Sequence, residues 1–424
     1  MRILHLVHQY GPESVGGTEL YTQTLARHQT RQGHEVAVFF PARQPAGPTA
    51  ASPLRSEHRD EGVRVYGIAA GERSPRQVFF STFGEPSLSR AWQAVLAAER
   101  PDVVHVQHLM GLPLAVVDHI QTTGIPFVIT LHDYWFPCAN AQLITNYDQT
   151  VCAGPEWWLN CARCALARAG RAEMGWLAPA VAPLLAYRSR QARQVLQRAQ
   201  RIIAPTDFVR RTYEELGMPG ERMIVIPHGI EIPATVEDAQ LQRRRLNGAL
   251  HIAYVGSLAW QKGVHVLIEA VNELPHEGVR LSLYGGLDAF PDYVARLKRA
   301  ARHPRIDFAG PLSRAELWQT LLQEVDVVVV PSIWYETASL VVQEAFAAKV
   351  PVVASRLGAL QERVAHERDG LLFPAGDAGA LRALLQRLRD EPDLLPRLSA
   401  NIGPVRRMQE HAADVERVYQ DVTA

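Results

Sequence analysis

The chain nearly lacks lysine: of its 44 basic residues only Lys262, Lys298 and Lys349 are lysine, and the rest are arginine. Codon bias accounts for the skew, yet it makes each surviving lysine worth placing. Net charge is also missing, because 44 acidic residues offset the basic ones. That balance excludes a general nucleic-acid binder. No D-x-D pair occurs, so a carboxylate-held catalytic Mg²⁺ or Mn²⁺ is not expected. No G-x-G-x-x-G occurs either, which removes the dinucleotide-binding fingerprint. The longest apolar stretch, Trp176 to Tyr187, is interrupted by Pro179 and Pro183 and falls short of the roughly 20 residues that span a bilayer. The start, Met1-Arg2-Ile3-Leu4-His5-Leu6-Val7, reads as a buried strand and not as a signal peptide. A cytoplasmic protein is expected, with at most a peripheral place on the inner face of the membrane.

What is present is 424 residues with 47% hydrophobic content, enough for two domains each with its own core. Short β-branched runs alternate with amphipathic segments, the pattern of βαβ units and parallel sheets. Strands are expected near 2–7, 35–40, 63–66, 103–106, 127–131, 201–204 and 224–226. A second series follows near 251–255, 281–284, 306–308, 327–330, 352–354 and 371–373. Between them, Pro227-His228-Gly229-Ile230-Glu231-Ile232-Pro233 and an Arg-rich stretch to Arg245 read as a linker. The expected organisation is an N-terminal domain over 1–230 and a C-terminal domain over 231–404. A helix over 405–424 is expected to return to the first domain. Residues 41–60 read as a surface loop, and 134–186 as an insertion.

In open parallel sheets, ligands bind beyond the carboxyl ends of the strands, where helix N-termini offer backbone N–H groups. Three loops qualify. After the first strand come Gly16 and Gly17, which permit close backbone approach. After the strand 251–255 come Gly256, Ser257, Lys262 and Gly263, a point charge beside a helix start that suits a diphosphate. After Val327–Val330, the stretch Pro331 to Ala345 carries Glu336 in a loop, Ser339 and Leu340 at a helix start, and Glu344 in the helix. Those two carboxylates stand roughly a dozen ångströms apart at helical rise, too far for a glycosidase pair but suited to gripping two hydroxyl-bearing rings of one ligand. His132-Asp133-Tyr134-Trp135 ends the strand 127–131, where a histidine and a carboxylate can orient a hydroxyl or share a proton.

Together, these motifs resemble those of the GT-B retaining glycosyltransferases of family 4 (glycosyl transferases group 1). The resemblance covers nearly the whole chain. It implies an α/β GT-B fold, two Rossmann-like domains with parallel sheets facing a central cleft, and a nucleotide diphosphate sugar donor. By the resemblance, Glu336 binds donor-sugar hydroxyls, Glu344 the ribose hydroxyls and Lys262 the diphosphate. His132 lies beside the sugar, and Gly16 and Gly17 lie near the phosphates. Gly256, Gly263, Gly285, Ser339 and Leu340 line the donor site. It further implies hexosyl transfer with retention, by front-side attack, to a glycan or lipid-linked acceptor in polysaccharide or glycolipid synthesis, with no catalytic cofactor. This sequence departs from the family in two places: Ser257 stands where an arginine is usual, and Tyr284-Gly285-Gly286 alters a Gly-Asp-Gly-type turn. Two other readings stay open, a nucleotide-sugar epimerase and a silent nucleotide-sugar-binding protein.

The four cysteines, Cys138, Cys152, Cys161 and Cys164, end in a C-x-x-C. In a cytoplasmic protein that spacing points to a structural zinc, with an iron–sulfur cluster or free thiols as alternatives. From Cys161 to Arg201 eight arginines face one acid, Glu173, interleaved with Trp176 and Tyr187. Such a stretch suits an anionic membrane or a lipid-diphosphate acceptor, or else a solvated helix face.

Overall fold

The computed structural model describes residues 1–11, 16–42, 58–237 and 248–424. Two compact units emerge: Met1–Gly229 with Met408–Ala424, and Ile230–Arg407. Most of the stretch read as a loop over 41–60, the segment 12–15 and most of the Arg-rich linker lie outside the described residues.

Unit 1 holds β1 (Arg2–Leu6), β2 (Glu35–Ala42), β3 (His58–Asp60), β4 (Val63–Ala69), β5 (Val103–Val106), β6 (Phe127–Thr130), β7 (Arg201–Ala204) and β8 (Met223–Val225). They form one sheet in the order β3-β4-β2-β1-β5-β6-β7-β8. All neighbours run parallel except β3, which pairs antiparallel with β4. The ends of the expected 41–60 loop are therefore strand. Pro41 and Ala42 extend β2 along β4, and β3 turns into β4 through Glu61-Gly62. Three residues are too few to show an alternating pattern, which is why β3 escaped the sequence reading.

Unit 2 holds β9 (Leu250–Val255), β10 (Val279–Tyr284), β11 (Ile306–Gly310), β12 (Val327–Val330), β13 (Val352–Ser355) and β14 (Gly370–Phe373). Its sheet runs β11-β10-β9-β12-β13-β14, all parallel. The four valines of β12 show why: Val327 and Val329 enter one core, Val328 and Val330 the other. With helices covering both faces, a central strand such as β12 is apolar at every position.

The helix Gly17–Arg31 buries Tyr21, Leu25 and Gln29 at intervals of four, one stripe of a 3.6-residue period. Against the same core packs the C-terminal helix Met408–Thr423, through Met408, Ala412, Val415 and Tyr419. The chain thus returns to unit 1 after completing unit 2. The expected insertion ends differently from its reading: the helix Ala178–Arg198 runs straight through residue 186, with Pro183 inside it.

Candidate donor site

In unit 2 the loop after β9 and the loop after β12 are built against each other. The backbone N–H of Ile333 donates to the carbonyl of Gln261 at 3.0 Å. Gly263, at φ +69°, caps the helix Val264–Asn272, and a Cβ there would stand 1.9 Å from the carbonyl oxygen of Pro331. Only glycine fits both the backbone angle and the close approach. This contact brings Lys262 to Glu336: Lys262 Nζ donates to Glu336 Oε1 at 2.8 Å. Ser332 Oγ (2.6 Å) and Trp334 Nε1 (2.9 Å) donate to the same oxygen. Burial opposes ionisation of Glu336, but the charge of Lys262 and these hydrogen bonds outweigh it and hold the carboxyl below its usual range. The Lys262 ammonium also lies 4.9 Å from the centre of the Trp334 ring, a cation–π contact that fixes its direction.

Glu344 is buried in the helix Leu340–Ala347 and receives Arg314 Nη1. The sequence reading missed Arg314. Its signal was faint: it is the first residue of the helix Arg314–Gln323, directly after the capping-box serine Ser313. Ser339 sits at φ +48°, a conformation costly for a non-glycine residue and one that clusters at functional sites. No side chain caps the helix starting at Leu340, the one starting at Val264 or the one starting at Gly17. In two of them the third N–H folds back on the cap carbonyl, Val266 N on Gly263 O and Val342 N on Ser339 O, and His265 N donates to the Tyr293 hydroxyl at 3.3 Å, which leaves the first N–H of each helix to an outside acceptor. Gly256 N donates to Tyr284 O, and Ser257 is exposed with its carbonyl accepting from Tyr254 OH. At Gly285 a Cβ would stand 2.1 Å from the carbonyl of Gly256. That packing explains glycine in the altered turn. Lys262 and Glu336 are thus joined directly beside the Gly263–Pro331 approach, and Gly256 packs on Gly285, with Ser339, Leu340 and Glu344 at and in the helix that follows Glu336.

Unit 1 carries His132, Gly16 and Gly17. His132 and Asp133, read together in the sequence, each have a further named partner. Asp133 Oδ2 lies 3.0 Å from His108 Nε2, and its other oxygen accepts from Trp135 N. His132 Nε2 meets Gln107 Oε1 at 2.8 Å. His228, read only as part of a linker, packs against Tyr21 with the rings tilted and their centres 4.2 Å apart, and lies 5.4 Å from the His132 ring. Burial lowers His5 to about 4 and His132 to about 3, and carries His105 well below its ordinary value. All three are neutral in the folded chain. The unfolded chain takes up their protons first as pH drops below about 6.5, so stability present above that value is lost in acid. Each such histidine costs about 1.4 kcal/mol per pH unit. Urea midpoints measured at pH 7.5, 6 and 5 should fall in that order; a flat profile would contradict the buried neutral assignment.

The four cysteines form a cluster in which Cys161 interacts electrostatically with each of the others, and burial pushes its thiol up to about 12. Donors of the protein reach two of the sulfurs. Asn140 Nδ2 donates to Cys164 Sγ at 2.8 Å, Asn146 N at 3.3 Å, and Gly154 N to Cys152 Sγ at 3.4 Å. All four are free cysteines. Among the described residues no group of three or more His, Cys, Asp or Glu is arranged to hold a metal ion.

A fold of two parallel-sheet Rossmann-like units, with a lysine–glutamate pair at the strand ends of the second, defines a GT-B glycosyltransferase. Residues 15–232 match the family described as Glycosyltransferase Family 4, and 249–391 match Glycosyl transferases group 1. The chain belongs to this glycosyltransferase family and is an enzyme of that class. It is 29% identical over 402 residues to a glycogen synthase of Mycobacterium tuberculosis, covering 92% of this chain and 87% of the relative. It is 26% identical over 401 residues to a D-inositol 3-phosphate glycosyltransferase of Pseudarthrobacter chlorophenolicus, covering 91% and 84%. Among solved structures, sucrose-phosphate synthase from Thermosynechococcus elongatus superposes with a TM-score of 0.72 at 20% identity, covering 99% and 98% of the two chains. Anabaena HepE in complex with UDP-glucose gives 0.66 at 18% identity, covering 99% of each.

Proposed function

We propose that this glycosyltransferase moves a hexose from a nucleotide diphosphate sugar to a glycan or lipid-linked acceptor, with retention, in surface polysaccharide or glycolipid synthesis. The observation that carries the donor assignment is the Lys262–Glu336 pair, a cation beside uncapped helix starts and in contact with a buried carboxylate. As the bond from the anomeric carbon to phosphate breaks, negative charge grows on the departing nucleoside diphosphate. Lys262 and the N–H groups of Val264 and Leu340 stabilise it. Glu336 accepts from sugar hydroxyls. Glu344, held by Arg314, accepts from the ribose. His132 is assigned to the donor sugar. The acceptor hydroxyl attacks from the face the phosphate leaves, and its proton passes to the leaving phosphate oxygen. HepE, solved with UDP-glucose, supports a nucleotide sugar as donor.

A panel of UDP-, GDP- and ADP-sugars, scored by thermal shift and slow hydrolysis, tests the assignment. One donor should raise the melting temperature of the wild type and not of Glu344→Ala. If none does, or both respond alike, the donor site lies elsewhere.

For the acceptor side we propose contact with an anionic membrane surface. No helix among the described residues is long and apolar enough to cross a membrane. However, Trp157 is 87% and Trp176 75% exposed. Along the helix Ala178–Arg198, Pro179, Pro183 and Tyr187 are exposed and give way to exposed Arg190 and Arg193. Tyr187 stacks on Phe83, with Phe80 exposed nearby. Amphipathic rings bordered by arginines suit the headgroup layer of an acidic bilayer. Arg188 takes no part, since it is buried over Trp135 and donates to Phe136 O. The protein should float with vesicles containing phosphatidylglycerol, and Trp176→Ala with Arg190→Ala should abolish flotation. Equal flotation with neutral vesicles, or none with acidic ones, would refute the contact.

A further inference from the structure

A continuous line of buried side chains in unit 1 joins His132 to the C-terminal helix. His132 Nε2 meets Gln107 Oε1 at 2.8 Å, and Gln107 Nε2 meets His5 Nδ1 at 3.1 Å. His5 Nε2 meets Gln29 Oε1 at 2.8 Å, and Gln29 Nε2 meets the Tyr419 hydroxyl at 3.2 Å. Tyr419 in turn meets His105 Nδ1 at 2.6 Å, and His105 Nε2 meets Thr130 Oγ1 at 2.8 Å. Thr130 bonds the Tyr21 hydroxyl, which lies 2.7 Å from His411 Nε2. The line ends where His411 Nδ1 meets the carbonyl oxygen of Pro227 at 2.9 Å. His5, Gln29, Gln107, His105, Thr130, Tyr419 and His411 are all buried.

The far end sets the polarity of the whole line. A carbonyl only accepts, so His411 Nδ1 carries the proton, and in a neutral imidazole Nε2 then accepts from Tyr21. Tyr21 has then spent its hydrogen and accepts from Thr130. Thr130 accepts from His105 Nε2–H, leaving His105 Nδ1 to accept from Tyr419. The Tyr419 oxygen accepts from the Gln29 amide, and Gln29 Oε1 accepts from His5 Nε2–H. Gln107 donates to His5 Nδ1 and accepts from His132 Nε2–H. With neutral imidazoles, each link has one consistent orientation, and every donor points from His132 toward Pro227. The desolvation that lowers His5, His105 and His132 keeps them in that neutral form.

We propose that Tyr419 is a positioning residue for His132: through Gln29, His5 and Gln107 it holds His132 as the Nε2–H tautomer, so the C-terminal helix takes part in the transfer reaction. The proposal rests on the assignment of His132 to the donor sugar. In that tautomer the proton of His132 is on Nε2 and is given to Gln107, so His132 cannot serve as a proton donor through Nδ1. Without the tyrosine hydroxyl the line is cut in two. Gln29 and Gln107 are then free to turn over, and His132 populates both tautomers.

Nitrogen-15 imidazole spectra of the full chain read the tautomer without reference to activity. Wild type should show a single Nε2–H form of His132 between about pH 5 and 8. Tyr419→Phe should show a mixture, with kcat lowered about tenfold and KM for the donor little changed. Gln29→Leu cuts the neighbouring link and should give the same spectrum, which covers a failure of Tyr419→Phe to fold. A mixed population in the wild type, or an unchanged His132 spectrum in the folded variants, overturns the relay. A changed spectrum with unchanged kcat leaves the relay intact but overturns the positioning role and the assignment of His132 to the sugar.

Discussion

Lys262→Ala lowers kcat/KM by about a hundred- to a thousandfold, the loss expected when one preorganised charge is removed from a developing anion. The loss falls mainly on kcat, because leaving-group charge is greatest in the transition state. Lys262→Arg does not restore activity. A guanidinium is planar and longer, whereas the ammonium must fit between Glu336 Oε1 at 2.8 Å and the Trp334 ring. Steady-state kinetics with the donor found by the panel gives the number. Retention of activity within about threefold would show that Lys262 only steadies Glu336. The substitution acts on Glu336 too, for without the ammonium that buried carboxyl keeps only Ser332 and Trp334 as named side-chain donors. Its affinity for protons rises, and activity should gain a new dependence on pH in the weakly acidic range.

Gly263→Ala carries the second large effect, this time on stability. The native φ of +69° costs a non-glycine residue roughly 1–3 kcal/mol, and the new Cβ falls 1.9 Å from the carbonyl of Pro331, a rigid backbone atom. The two loops must separate to admit it. A loss of about 3 kcal/mol or more follows, together with loss of the Lys262–Glu336 bond. Urea denaturation of the variant reads the first effect and donor-induced thermal shift the second. As a control, Gly286→Ala meets no atom within 4 Å and should be close to neutral. If Gly263→Ala is as stable as that control, the tight fit between the loops is wrong.

Where each unit's sheet is covered on both sides, the sequence was easy to read, because β12 is four valines and β6 is Phe-Val-Ile-Thr. Glu336, Lys262 and Gly263 were legible as motif residues at strand ends. Their mutual contact was not, since 74 residues separate Lys262 from Glu336. Arg314 was hidden for a related reason: its partner Glu344 lies 30 residues away across the fold. The cysteines mark another limit. Their spacing resembled a ligand set, yet the asparagines and glycine that donate to the sulfurs lie between them in a stretch with little regular structure. Spacing reports which residues are neighbours along the chain; it does not report which donors reach them. The His132 relay was invisible because its members come from six separate segments and become a line only when the last helix docks.

That helix also orders events during synthesis. Unit 1 is begun first, but its core stays open on the side of Gly17–Arg31 until Met408–Thr423 has been made. Met408, Val415, Val418 and Tyr419 each bring about 2 kcal/mol of burial, a sum comparable with the whole stability of a typical domain. Unit 2, contiguous from Ile230 to Arg407, is complete before the ribosome reaches the residues that close its predecessor. The half made first is therefore finished last. A transcript truncated just after Arg407 would yield a sound second unit tethered to an unfinished first one.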